Sequence, residues 1–348
     1  MTVAEHCVGI AGLGTYIPEG RMTAGEIADV TGIPEEIVIN KLGLSRKTVP
    51  DPGDTVSHMA ARAAVSALDD AGWDARDLDA LVYFGGEHKD YPVWLAGPKV
   101  AHEIGATNAW AIDLSVMCGS FMASLKAVKA MMLTDDRMNA VLLAGGYRNG
   151  DLIDLKDPSV RFMYNLGAAG SAALLVKDHE RNLVLETALR TDGSFSEDVI
   201  VPAGGCRNGV SPADVADGRF HLKVVDPPDM KRRLEGLSLS NFLGVITDAV
   251  TWSGYGTDDI DYLAILHMKP SAHRYIMDKL GLDDRHSVYL SEFGHLGQND
   301  QIVSILEGVK RGQVPDGGLV VTTGAGIGYV WAASAIRWGR RDDGVEGS

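Results

Sequence analysis

A cysteine at the junction between an apolar strand and a helix is the residue in this chain best placed to act as a nucleophile. Cys118 lies in Ala111-Ile112-Asp113-Leu114-Ser115-Val116-Met117-Cys118-Gly119-Ser120, and the long apolar run that follows reads as a core helix. The first turn of a helix leaves backbone N–H groups unpaired, and its positive end favours thiolate over thiol. A buried structural cysteine carries the same local pattern, so the assignment depends on partners. A catalytic thiol needs a base and an oxyanion donor. Of the ten histidines, His267 and His295 stand apart, each at a turn between an apolar strand and a helix: Leu266-His267-Met268-Lys269 and Phe293-Gly294-His295-Leu296-Gly297-Gln298-Asn299-Asp300. The glycine-rich stretch Thr322-Thr323-Gly324-Ala325-Gly326-Ile327-Gly328-Tyr329 is followed by strand-like alternation, not by the helix a dinucleotide site requires. It reads as a tight turn exposing N–H groups around Gly326 and Ile327, suited with the Cys118 amide to an oxyanion.

The elements that must hold these residues alternate along the chain. Strands are expected at 8–13, 81–84, 109–114, 140–144, 172–176, 183–189, 262–266, 287–290, 319–322 and 329–336. Helices are expected near 56–71, 97–104, 118–133, 228–251, 271–280 and 297–311, and 191–224 reads as a loop-rich cap. This is an α/β pattern with buried sheets. Its halves, 1–178 with Cys118 and 179–348 with the two histidines, follow one plan. In each a strand ends at a chemical residue (Cys118, His267) and leads into a helix, so the two strand ends would face one another.

Composition narrows the function classes. The net charge of −15 argues against nucleic acid, which needs a basic surface. No segment reaches the ~20 apolar residues of a membrane span, and the acidic start at Glu5 is unlike a signal peptide. Three cysteines make no disulfide framework, so a cytoplasmic location is expected. No metal site is read.

From Val8-Gly9-Ile10-Ala11-Gly12-Leu13-Gly14-Thr15-Tyr16-Ile17-Pro18 through Leu42-Gly43-Leu44-Ser45-Arg46-Lys47 and the Cys118 segment to Ala335-Ile336-Arg337-Trp338, the whole chain resembles a thiolase-fold enzyme. The group it resembles is ketoacyl synthase III, with features similar to 3-hydroxy-3-methylglutaryl-CoA synthase. The resemblance implies a duplicated α-β-α-β-α five-layer core, an acyl-cysteine on Cys118, and carbon–carbon bond formation between two acyl substrates. It makes His267 the general base or oxyanion donor, with Met268-Lys269-Pro270 departing from the family's Gln-Ala-Asn. It puts His295 where the family has Asn, while an alignment with a gap would put Gln298 or Asn299 there. Glu87, in Gly85-Gly86-Glu87-His88-Lys89-Asp90-Tyr91-Pro92, matches the acid/base region of the hydroxymethylglutaryl enzymes. Tyr91 resembles an aromatic that reaches the partner's acyl pocket, and Asn299 is a further pocket candidate. The acyl donor would be a CoA or phosphopantetheine thioester, the latter on an acyl carrier protein, with no tightly bound cofactor. Lys41, Arg46 and Lys269 are candidates to meet it, with Lys47 beside them, although Ile37 replaces the family's adenine-stacking Trp. A homodimer paired through the 109–114 strand is implied. The departures at 267–270 and 295 keep two other readings open: acyl transfer to oxygen or nitrogen of a small molecule, or a non-catalytic subunit of a thiolase-type complex.

Overall fold

The computed structural model describes residues 6–86 and 88–340. Nine strands share one sheet: β1 (Val8–Tyr16), β2 (Ala80–Phe84), β3 (Trp110–Leu114), β4 (Ala140–Tyr147), β5 (Ala169–Lys177), β6 (Arg181–Thr191), β7 (Ile260–Ile265), β8 (Leu319–Gly326) and β9 (Val330–Arg340). Their order is β7-β8-β9-β6-β1-β5-β4-β2-β3. The two halves repeat one pattern: β1-β5-β4-β2 and β6-β9-β8-β7 each run antiparallel, antiparallel, parallel. They meet at a single register pair, Gly9 with Leu183, so the sheet is two half-sheets hinged at β1 and β6. The chain passes between them from Lys177 to Arg181.

Helices α1 (Val56–Ala71), α2 (Ala96–Glu103), α3 (Ser120–Thr134), α4 (Leu237–Trp252), α5 (Pro270–Lys279) and α6 (Asp300–Lys310) cover the faces. α1 buries Ala60, Ala61, Ala63, Ala64 and Ala67 against β1, β5 and β4. These small side chains let the helix lie close to the sheet. α4 covers β9 and β6 on the opposite outer face. α3 and α6 contact strands of both halves, and Phe121, Met122, Leu125, Ile302 and Ile305 share one buried cluster between them. The result is a five-layer α-β-α-β-α stack with α3 and α6 in its middle. A helix in the central layer must be apolar on most of its surface, as the buried residues of α3 are.

Two local expectations differ from the structure. Residues 287–290 form no strand. They run beside β7 with side chains in place of a ladder: Ser287 Oγ donates to Leu263 O at 2.8 Å, and the Val288 amide donates to Tyr262 Oη at 3.2 Å. The helix expected over 228–251 is two, Pro227–Leu234 and α4, broken at Glu235-Gly236. The 191–224 cap carries only short elements, including the ribbon of Val199–Ile200 with Lys223–Val224.

Candidate active site

Met117 (φ 48°) is one of few non-glycine residues in a left-handed conformation. It turns the chain out of β3 into a short 3-10 turn, Met117–Gly119, that carries Cys118 onto the start of α3. Ser120 Oγ clamps this turn, accepting from the Val116 amide at 2.8 Å and donating to Met117 O at 2.6 Å. The β8–β9 turn closes on it from the other half. A Cβ on Gly326 would stand 2.6 Å from Val116 O and 3.1 Å from the Cys118 amide nitrogen, so glycine is what lets the turn approach.

His295 meets the thiol. Its Nε2 lies 3.2 Å from Cys118 Sγ, and its Nδ1 donates to Asp300 Oδ2 at 2.5 Å. Asp300 is fully buried and also accepts from the amides of His267 at 2.9 Å and Leu296 at 2.7 Å. Burial presses the His295 pKa down, but the Asp300 carboxylate and the sulfur at its other nitrogen reverse this and hold it well above the ordinary histidine value. A protonated His295 between a carboxylate and a sulfur puts a positive charge and a donor beside the nucleophile, the setting in which cysteines are activated.

His267 reaches the same cavity in a different role. Its Nδ1 accepts from Asn165 Nδ2 at 2.9 Å and its Nε2 donates to Gly43 O at 3.2 Å. Both ring nitrogens are thus engaged, and burial lowers its pKa to about 4. It is a neutral wall of the site in this arrangement and not a base facing the thiol; its amide, donating to Asp300, helps fix the carboxylate.

A cavity of about 290 Å³ opens over Cys118. Cys118, His267, His295, Asn165 and Ile327 line it, with Lys269 at its edge and an apolar side built from Phe162, Leu222, Leu239 and Phe242. Several expected residues lie elsewhere. Asn299 is fully buried outside the cavity wall; its Oδ1 accepts from Ser171 Oγ at 2.6 Å and its Nδ2 donates to Ala169 O and Leu296 O, so it is a framework residue. Tyr91 is 66% exposed and packs edge-on against Trp94, away from the cavity of its own chain. Arg46 pairs with Glu292 on the surface, and Lys41 is exposed beside cavity-lining Leu42. Lys47 is buried with Nζ donating to Tyr164 O at 2.9 Å, and burial lowers its pKa to about 8. Glu87 lies outside the described residues, and Gly86 before it lines the cavity. Among the described residues no cluster of His, Cys, Asp and Glu could hold a metal ion, and no helix is long and apolar enough to cross a membrane.

The sequence reading leaves Asp300 and Asn165 unassigned. Asp300 opens α6, where an acid is an ordinary helix-start residue. Asn165 carries no local signal.

Comparison with known proteins follows this geometry. The family described as 3-oxoacyl-[acyl-carrier-protein (ACP)] synthase III matches residues 112–193, and the family describing the C-terminal part of that synthase matches residues 251–338. The chain therefore resembles ketoacyl synthase III and shares the thiolase fold of its solved structures. The beta-ketoacyl-[acyl-carrier-protein] synthase III of Symbiobacterium thermophilum is 27% identical over 334 residues, covering 96% of this chain and 98% of that protein. The 3-oxoacyl-(acyl carrier protein) synthase III of Pseudomonas aeruginosa superposes with a TM-score of 0.83 at 23% identity, covering 96% of this chain and 99% of that one. The priming beta-ketosynthase of the R1128 polyketide pathway gives 0.83 at 21% identity, covering 98% and 99%. The cysteine turn lies within the first matched stretch and the β8–β9 turn within the second.

Proposed function

We propose that this acyltransferase takes an acyl group from a CoA or acyl-carrier-protein thioester onto Cys118 Sγ and joins it to a second acyl substrate through a carbon–carbon bond. The observation that carries this reading is the hydrogen-bonded line from Cys118 Sγ through His295 to Asp300 at the wall of the cavity. The thiolate attacks the thioester carbonyl, a new C–S bond forms, and the old C–S bond breaks as His295 returns a proton to the leaving thiolate. The amides of Cys118 and of the turn at Gly326 and Ile327 would donate to the oxyanion. Where the second thioester bears a carboxylate β to its carbonyl, that C–C bond breaks, CO2 leaves, and the resulting carbanion attacks the acyl-cysteine carbonyl to form the new C–C bond as the C–S bond breaks and Cys118 leaves as thiolate. Lys269 stands where the thioester arm enters.

The arrangement of the two histidines favours a second reading. In decarboxylative condensation the second step needs donors and no base, yet His267 has both ring nitrogens engaged while His295, backed by Asp300, can act as a base. Once acyl transfer has consumed its proton, His295 can take one from an O–H or N–H acceptor, giving an ester or amide. Intact-mass measurement with acyl-CoA and acyl-carrier-protein donors tests the shared first step: no acyl mass on the wild type, or an equal gain on Cys118→Ala, overturns it. Product analysis then separates the readings, a 3-oxoacyl product supporting condensation and an ester or amide the second.

The enzyme is further proposed to be a cytoplasmic homodimer built from the halves 1–178 and 179–348. β3 is an edge strand with Trp110 43% and Ile112 37% exposed, and Tyr91, Val93 and Leu95 are exposed on the segment before α2. Asp113 ties the two together, accepting from Lys89 Nζ and from the amides of Ala96 and Gly97. An apolar edge of this kind pairs with another chain when left uncovered.

A further inference from the structure

Two histidines stand beside Asp300, and their Nδ1 atoms meet different chemistry. His295 Nδ1 faces a carboxylate oxygen, Asp300 Oδ2, at 2.5 Å. His267 Nδ1 faces an amide nitrogen, Asn165 Nδ2, at 2.9 Å. The far side of the His267 ring fixes where its hydrogen lies. Nε2 is 3.2 Å from Gly43 O; a carbonyl oxygen only accepts, so Nε2 carries the hydrogen, and a neutral ring has a bare Nδ1 for the Asn165 amide to donate to. The ring packs against Tyr289 with centroids 5.1 Å apart, and Tyr289 packs against His273 at the same distance. The acid acting on His267 is Asp300, which bonds its backbone amide at 2.9 Å and not its ring, while His295 acts on it as a like charge. Lys269 follows two residues on. Asn165 serves the two histidines with different atoms. Its backbone O accepts from the His295 amide at 2.8 Å, and the Gly167 amide donates to His295 O at 2.9 Å. The backbone of 165–167 therefore holds His295, and the Asn165 side chain is left to His267.

We propose that Asn165 is a positioning residue that assigns the proton of the site: by giving His267 an amide where His295 has a carboxylate, it keeps His267 the uncharged histidine and leaves the imidazolium to His295. A carboxylate at position 165 would accept from Nδ1 of a charged ring and balance its charge, whereas the amide nitrogen suits a bare Nδ1. Turning the amide over would offer a charged ring an oxygen, but without the negative charge that offsets burial. Burial is the largest influence on His267 and presses the same way, toward the neutral ring. The inference rests on the acyl-cysteine reading above for the use of the proton, and not for its location.

The test reads the histidine ring nitrogens by NMR at neutral pH, with His267 assigned by its loss in His267→Gln. In the wild type His267 is expected as the neutral ring with hydrogen on Nε2; a charged His267, or the tautomer with hydrogen on Nδ1, overturns the inference however the Asn165 variants fold. Asn165→Asp keeps the backbone bonds to His295 and nearly the same side-chain shape, and is expected to charge His267. A ring that stays neutral there overturns the inference, because burial alone would then decide. In the double variant, Asn165→Asp with Asp300→Asn, the charge is expected on His267, whose nitrogens meet position 165 and Gly43 O and not Sγ. Acyl-Cys118 formation with acyl-CoA donors, by intact mass, should therefore stay about 10²-fold or more below wild type, and recovery of the wild-type rate overturns the assignment. The spectra need no acyl donor. No acyl mass on the wild type overturns the acyl-cysteine reading, while the place of the proton is still decided by the spectra.

Discussion

Replacing Asp300 with Asn tests whether the line from thiol to carboxylate drives the chemistry. The carboxylate accepts three hydrogen bonds in a fully buried place, from His295 Nδ1 at 2.5 Å and from the amides of His267 at 2.9 Å and Leu296 at 2.7 Å. An asparagine keeps one acceptor oxygen for Leu296 and turns an NH₂ group toward the other two donors. Breaking a buried pair of this kind costs about 3–5 kcal/mol of stability, within reach of a folded variant. The electronic effect is sharper. Burial is the largest influence on His295 and presses toward the neutral ring; the carboxylate is the strongest influence opposing it. With the charge gone, the strongest influence opposing burial is lost, and His295 shifts toward the neutral ring. Acyl-enzyme formation is expected to fall by about 10²–10⁴-fold, the usual worth of a positioned acid–base group. Iodoacetamide alkylation followed by mass spectrometry reads the sulfur directly, with Cys118→Ala run in parallel to subtract Cys7 and Cys206. At pH 7 the Cys118 alkylation rate should be lower in Asp300→Asn than in the wild type. A variant with the wild-type alkylation rate and more than about a tenth of the wild-type acylation rate would refute the reasoning, because a carboxylate worth so little cannot be what charges His295.

Three further outcomes are expected. His267 and His273 have pKa values lowered to about 4 by burial, so the unfolded chain binds their protons first; their effect on stability is nil above the unfolded value near 6.5 and grows as pH falls toward 4. Each should cost about 2 kcal/mol at pH 5 relative to pH 7, while His295, raised instead, stabilises fully below about 6.5 and loses that contribution as pH climbs through its folded value. Urea unfolding of His273→Phe should therefore lose about 2 kcal/mol less than wild type between those pH values, and an unchanged difference would count against its burial as a neutral ring. Gly326→Ala should depress acyl-enzyme formation by about 10-fold or more, because the new Cβ would stand 2.6 Å from Val116 O and 2.7 Å from Met117 Cβ and push the nucleophile's turn out of place; a wild-type rate would show that the turn yields freely. Ile112→Lys puts a charge on the exposed edge strand and should shift the proposed dimer toward monomer in sedimentation, whereas a dimer unaltered by it would put the interface elsewhere.

What could be read from the residues alone follows from how locally each feature is determined. The strands and helices were legible because apolar periodicity is written into consecutive residues, and α1 emerges over the expected 56–71. The segment 287–290 was misread because its apolar pattern is that of a strand, while its backbone partners are a serine hydroxyl and a tyrosine hydroxyl that no local pattern reveals. Cys118 and His295 were found from their places at strand–helix junctions, and the structure puts them 3.2 Å apart. His267 occupies the equivalent junction in the second half, and there the inference from position to role breaks down. What decides a histidine's chemistry is the set of atoms its two nitrogens meet, and for His267 those are Asn165 and Gly43, 102 and 224 residues away in sequence. Asp300 lies only five residues from His295, yet it reads as a helix-start acid because that is also what it is. The first turn of α6 holds the carboxylate, and the carboxylate holds His295, so one residue serves the helix and the site. The chemical distinction that matters most here, a charged His295 beside the thiol and a neutral His267 across from it, is therefore set by one buried carboxylate whose side chain reaches the His295 ring but only the backbone of His267.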